Sequence, residues 1–210
     1  MTARARTTAL KLTVKEVTTA TWPDFEKLFS ARGSPSYCWC MVFRAQGEEL
    51  KQTDRKSRKL AMARRVRQGT PVGLLGYIGA EPVAWCSVAP RATHLRLVSD
   101  GSPDEGVWAI TCFFILRAHR KQGLTRQMLQ AAIAHARKRG AKVVEAYPVD
   151  ADSPSYRFMG FVPLFEGAGF EEVGREGTRR HVVRLRVRAT RKRASAARTK
   201  QPVTALRKSR

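Results

Sequence analysis

A chain of 210 residues, 43% hydrophobic and 27% charged, has the apolar content for one core of ordinary size and fits one globular domain better than two. Its formal charge of +23 implies attraction to an anion, such as nucleic acid, an acidic membrane surface or a phosphorylated small molecule, and the sign alone does not choose among them. The longest apolar stretch, VWAITCFFIL, is too short to cross a bilayer, and MTARARTTALK lacks the apolar segment of a secretory signal, so a cytoplasmic location is expected.

In chain order, residues 1–9 form a short basic arm. LKLTVKEVT alternates apolar and polar positions and reads as a strand ending near Thr18. TWPDFEKLFSARG then offers Thr21 as a helix cap, Pro23 in the first turn and Gly33 as a stop. Beyond SYCWCMVFR, the stretch TDRKSRKLAMARRVRQG predicts a second helix, capped by Thr53 or Asp54, with Leu60, Ala63 and Val66 inward and a solvated basic face. VGLLGYIGAEPVAWCSV predicts a hairpin turning near Gly79 to Pro82. Its glycines lack the G-x-G-x-x-G spacing, and no G-x-x-x-x-G-K-[ST] occurs, which removes both nucleotide-loop motifs.

VWAITCFFIL is apolar on both alternate sets, Val107/Ala109/Thr111/Phe113/Ile115 and Trp108/Ile110/Cys112/Phe114/Leu116, as a central strand covered on both faces should be. From Leu124 the period turns helical: Leu124, Met128, Leu129, Ala132, Ile133 and Ala136 share one arc, and Gly140 ends it. KVVEAYPV is another short buried strand. From Arg188 to Arg210 stand nine basic residues, no acidic one and no apolar period, which predicts a disordered tail able to touch polyanions without sequence preference. Cys38, Cys40, Cys86 and Cys112 are expected as reduced thiols. Cys38 and Cys40 lack the second cysteine pair or H-x3-H that a metal site needs, so they read as packing residues and no metal is expected.

RKQGLT, between the central strand and the long helix, holds two readings. A glycine-bearing turn at a helix N-terminus aims free backbone N–H groups and the positive end of the helix dipole at one point, as a pyrophosphate cradle does. An ordinary basic surface turn looks the same from physics alone.

FFILRAHRKQGLT resembles the acetyl-CoA-binding motif of the GCN5-related N-acetyltransferases, whose central strand is followed by [RQ]-x-x-G-x-[GA] and a helix. Here the motif runs Arg120, Lys121, Gln122, Gly123, Leu124, Thr125, with threonine in place of the final glycine or alanine. The order of elements over residues 10–187 is also similar: strand, two helices, hairpin, central strand, helix, strand, helix and two closing strands, with LFEGAGF before the last hairpin. The resemblance implies a mixed, mostly antiparallel twisted sheet with helices on both faces. It also implies acetyl-CoA as acetyl donor, with its pantetheine arm along Phe113, Phe114 and Ile115 and its phosphates at Arg120 to Thr125.

The implied chemistry is direct attack of an acceptor amine on the thioester in a ternary complex. A lysine-like amine is only about 0.04% neutral at pH 7, so a base or a water relay must deprotonate it. Glu105 is the first candidate base and Asp104 the second. A backbone N–H near Ile115 is the candidate donor to the oxyanion. Many members protonate the departing thiolate with a tyrosine; Phe165 stands at that position here, leaving Tyr156 and Tyr147 as candidate acids, or solvent. Two rival functions remain at this stage: a nucleic-acid-associated basic protein, and an inactive CoA-binding module of the same fold.

Overall fold

The computed structural model describes residues 10–97 and 104–188. The arm at residues 1–9 and the tail after Arg188 lie outside the described residues. Seven strands form one sheet: β1 (Thr13–Glu16), β2 (Leu74–Ile78), β3 (Glu81–Pro90), β4 (Val107–Ile115), β5 (Val143–Ala146), β6 (Glu171–Glu176) and β7 (Arg180–Arg186). Their spatial order is β1-β2-β3-β4-β5-β7-β6. Every neighbouring pair is antiparallel except β4 and β5, which run parallel and are joined by the long helix.

Four helices cover the sheet: α1 (Trp22–Ser30), α2 (Arg55–Arg67), α3 (Leu124–Lys138) and α4 (Val162–Glu166). On one face, Leu124, Met128, Leu129, Ala132 and Ala136 of α3 join Phe165 of α4 over Ile110, Phe113 and Ile115 of β4. Those α3 positions are the arc expected from the sequence, with Ile133 at its half-buried margin. On the other face, Phe25, Leu28 and Phe29 of α1 and Ala61, Met62 and Val66 of α2 pack against Leu75, Trp85, Cys112 and Phe114.

Two local expectations are corrected. Leu60 is 50% exposed, because α2 buries Ala61, Met62, Ala63 and Val66 instead. Thr21 precedes α1 but does not cap it; its hydroxyl donates to Glu16 O at 2.8 Å and accepts from Thr18 N at 2.8 Å, closing the turn before the helix. Asp54 does cap α2, accepting from Ser57 N at 2.9 Å.

The last hairpin carries a titratable lock. His181 of β7 is buried between Glu172 Oε2 at 2.7 Å and Asp150 Oδ1 at 3.1 Å. Burial opposes its charge, but hydrogen bonds to the two carboxylates outweigh burial and raise its pKa. A raised histidine pKa gives stability that is present below the unfolded value and lost as pH rises through the folded one. The melting-temperature advantage of wild type over His181→Gln is therefore expected to shrink between about pH 6 and pH 8. Thermal melts of both proteins at the two pH values check this, and a constant difference overturns it.

Candidate active site

The central strand changes character halfway along. Val107 to Ile110 pair with Val143 to Ala146 of β5, and there the pairing stops. From Thr111 to Ile115 the edge of β4 that faces away from β3 has, among the described residues, no strand beside it, while the opposite edge continues along β3 as far as Ala84. A bulge falls where the two strands part: Ser87 pairs with Cys112 and Val88 with Ile110, so Thr111 is one residue too many.

The bulge also changes which side chains share a face. Uninterrupted alternation would group Ile110 with Cys112 and Phe114. Instead Ile110, Phe113 and Ile115 face α3, and Cys112 and Phe114 face α1 and α2. Both alternate sets expected from the sequence are thus broken at Thr111, because one extra residue shifts the phase of everything after it.

At the C-terminal end of β4 the chain makes a short 3-10 turn over Arg117–His119 and reaches α3 through Arg120 to Gly123. Lys121 and Gly123 both adopt left-handed conformations, with φ of 61° and 75°. Gly123 occupies the cap position of α3 without a side-chain cap bond. Among the described residues, no backbone carbonyl accepts from the N–H groups of Gln122, Gly123, Leu124, Thr125 or Arg126. Arg120, Lys121, Gln122 and Gly123 are exposed. Arg120 Nε donates to Ile115 O at 3.0 Å, pinning the turn to the strand end. An exposed group of free N–H donors at the positive end of a fifteen-residue helix fits a pyrophosphate.

Beside the unpaired half of β4 lies a cavity of about 90 Å³, lined by Pro35, Tyr37, Cys38, Cys40, Val42 and Phe43 from the segment between α1 and α2, by Thr111 to Phe114, and by Phe158. Its walls are mostly apolar. Behind the bulge is a polar cluster: Thr111 Oγ1 donates to Ser87 Oγ at 2.9 Å and lies 3.2 Å from His94 Nε2, and Arg44 donates to the same Ser87 oxygen at 2.9 Å. Burial, and then Arg44, hold His94 well below its ordinary pKa, so it is neutral.

Phe113, Phe114 and the Arg120 to Thr125 turn stand at the strand opening and its near end. The three acid–base candidates are scattered. Tyr147 is 1% exposed and its hydroxyl donates to Glu145, so the ring packs beside Phe43 and Met159 and its proton is engaged. Burial, then the Glu145 charge, push its pKa far above the usual tyrosine range. Glu105 precedes β4, as expected; it pairs at the surface with Lys142 at 3.3 Å and lines a different hollow with Val143 and Arg184. Nine residues of strand separate it from the turn, roughly 30 Å at ~3.3 Å per residue. Asp104 pairs with Arg91 at the same end. Tyr156 stands nearer the cavity: its ring lies 6.2 Å from that of Phe158, and Arg180 bridges it to Phe43, 4.9 Å over one ring and 5.6 Å over the other. Phe165 is fully buried, 6.2 Å from the Phe113 ring.

Sequence reasoning missed Arg44 and the part played by Thr111. The available signal was a polar residue at the centre of an otherwise apolar strand, the place where a bulge needs a hydrogen bond to settle it.

A sequence model of the acetyltransferase (GNAT) family matches residues 15–161. No curated protein matches the sequence. Among solved structures, an acetyltransferase from Thermus thermophilus superposes with a TM-score of 0.52 at 21% identity, over 85% of this chain and 99% of that one. A ribosomal-protein-alanine N-acetyltransferase from Brucella melitensis gives 0.51 at 19%, over 84% and 100%. The yncA protein of Salmonella typhimurium, solved with its cofactor acetyl-CoA, gives 0.51 at 15%, over 88% and 98%. At these identities the likeness is one of fold. Among the described residues, no helix is long and apolar enough to cross a membrane.

Proposed function

The chain belongs to the acetyltransferase (GNAT) family, and from that premise we propose that it transfers an acetyl group from acetyl-CoA to an amine by direct attack in a ternary complex. The observation that carries this reading is the parting of β4 from β5 at the Thr111 bulge, with a cradle of free N–H groups at one end and an apolar cavity beside it.

In this reading the turn from Arg120 to Thr125 holds the pyrophosphate, with its backbone as the main donor and Lys121 adding charge. The free edge along Phe113, Phe114 and Ile115 takes the pantetheine arm as an added strand. The acceptor amine enters from the cavity, and a backbone N–H of the unpaired half of β4, near Ile115, faces the oxygen on which charge develops. Glu105 lies too far along β4 to reach that amine directly, so its proton leaves through water. Tyr156, whose ring lies 6.2 Å from that of the cavity-lining Phe158, is the side chain assigned here to protonate the departing thiolate.

Turnover of acetyl-CoA with a mixed panel of amines tests the activity. Turnover with none of them, in a protein that binds acetyl-CoA, favours the inactive-module reading. With a confirmed acceptor, Tyr156→Phe is expected to lower kcat by about 10²-fold with CoA affinity unchanged, the low end of what a positioned acid contributes. Tyr147→Phe is expected to leave kcat within about twofold, since that hydroxyl is committed to Glu145. Wild-type kcat in Tyr156→Phe removes the tyrosine from the mechanism and assigns the proton to solvent.

A further inference from the structure

Three of the four cysteines line the cavity: Cys38 and Cys40 from the loop after α1, and Cys112 from β4. Their backbone is unusual, since Trp39 and Cys40 are consecutive non-glycine residues in the left-handed region, with φ of 45° and 57°. Such strain persists only where the surroundings impose it, and it aims the Cys40 side chain inward. There Trp85 Nε1 donates to Cys40 Sγ at 3.4 Å, and an indole N–H can only donate, so the sulfur is the acceptor. Cys112 lines the same cavity and packs in the same core cluster as Cys40.

A cation stands beside it. Arg44 is fully buried, and its guanidinium donates to Val72 O at 2.9 Å, Ser87 Oγ at 2.9 Å and Thr93 Oγ1 at 3.2 Å, all neutral acceptors. Among the described residues, no carboxylate lies within ion-pair distance of it, and its Nε has no partner. A buried guanidinium needs a negative charge nearby, and the Cys40 sulfur is the group able to carry one. The neighbouring Cys112 thiol, followed by the Arg44 charge and the Trp85 N–H, lowers the Cys40 pKa below the ordinary thiol value against the effect of burial. The same neighbour, together with burial, raises the Cys112 pKa, and burial pushes that of Cys38 up to about 11. A thiol of lowered pKa thus shares one cavity wall with a thiol of raised pKa, the arrangement in which an oxidised sulfur is resolved by its neighbour.

We propose that Cys40 and Cys112 form an oxidisable pair: a small hydroperoxide entering the cavity is reduced by Cys40, and Cys112 resolves the product into a disulfide that ties the loop after α1 to β4. A cavity of about 90 Å³ admits hydrogen peroxide, a molecule little larger than water with its ≈ 30 Å³ share of the liquid. The Cys40 thiolate attacks one peroxide oxygen; the O–O bond breaks, Cys40 becomes a sulfenic acid, and the departing oxygen takes a proton from solvent. Cys112 sulfur then attacks the sulfenyl sulfur, the S–S bond forms, the S–O bond breaks, and water leaves with the Cys112 proton. Overall one thiolate, one thiol, one peroxide and one proton give one disulfide, one alcohol or water, and one further water. Excess small thiol reverses the crosslink by exchange. None of these steps uses an acetyl donor, so the pair stands independently of the function proposed above. Its consequence for that function is closure of the cavity beside the parted strands.

The test treats the full chain with an equimolar amount of hydrogen peroxide, blocks remaining thiols after unfolding, and maps the cysteines by peptide mass. The expected result is loss of two thiols, a Cys40–Cys112 crosslinked peptide, and recovery of both thiols with dithiothreitol. Cys112→Ser is expected to stop at a sulfenic acid on Cys40 that dimedone traps, and Arg44→Met to slow oxidation of Cys40 several-fold. Wild-type mapping decides the matter even if a variant does not fold: four thiols remaining, or first oxidation at Cys38 or Cys86, overturns the proposal.

Discussion

Replacing Gly123 by valine is expected to lower the affinity for CoA at least tenfold while the chain stays folded. The backbone there has a φ of 75°, and a Cβ built on it meets nothing within 4 Å, so the fold has room for the side chain. The cost to the free protein is conformational, about 1–2 kcal/mol for an L-residue held left-handed. The cost to binding is added to that, because branched methyl groups stand at the mouth of the free N–H groups and keep a pyrophosphate from close approach. Tenfold corresponds to about 1.4 kcal/mol, less than the loss of two charge-assisted hydrogen bonds. Gly140→Val supplies the control: Gly140 has a φ of 88° and open space around it, but it lies past the other end of α3. Both variants should melt lower by similar amounts, and only Gly123→Val should weaken CoA binding in calorimetry. Equal CoA affinity in the two folded variants removes the turn from the binding site.

Glu145→Ala is expected to cost about 3–5 kcal/mol of stability, the range seen when a buried ion pair loses one member. Glu145 is 1% exposed and accepts from Arg184 Nε at 2.6 Å, from Arg91 Nη1 at 3.3 Å, and from the Tyr147 hydroxyl. Alanine removes the acceptor that β3's end, β5 and β7 share, and leaves the Tyr147 hydroxyl buried with nothing to receive its proton. Glutamine keeps one acceptor oxygen and should cost less than alanine. Against a typical total of about 5–15 kcal/mol, the alanine change is large enough to see as a shifted urea midpoint with an unchanged slope. A loss below about 1 kcal/mol would mean that the cluster is solvated in solution and that Tyr147 is available for other work.

The local pattern of the sequence was enough for the elements and for their faces wherever a strand or helix is regular. Leu124, Met128, Leu129, Ala132 and Ala136 recur at helical spacing, and those side chains cover the sheet. The run from Val107 to Ile115 is apolar at nearly every position, and the strand is buried throughout. The glycine and the basic residues of Arg120 to Thr125 mark a turn whose N–H groups are free, because helix geometry alone leaves the first donors without partners.

Tertiary structure alone decided what stands opposite what. Alternation along β4 would group Ile110 with Cys112, but the extra residue at Thr111 turns Cys112 toward α1 and α2 and into the cavity that Cys40 also lines. Glu145 and Tyr147, two apart, are neighbours by strand geometry, yet only Arg91 and Arg184, 54 and 39 residues away, bury the carboxylate and commit the tyrosine to it. Glu105 adjoins the central strand in sequence, and the length of that strand carries it to the end away from the Arg120 to Thr125 turn. Periodicity reports how deeply a residue's own element is buried, since it follows from bond geometry repeated along a few turns or pleats. The partner of a side chain is set by where distant segments cross, and one bulge or one parting of two strands changes it with little trace in the local pattern.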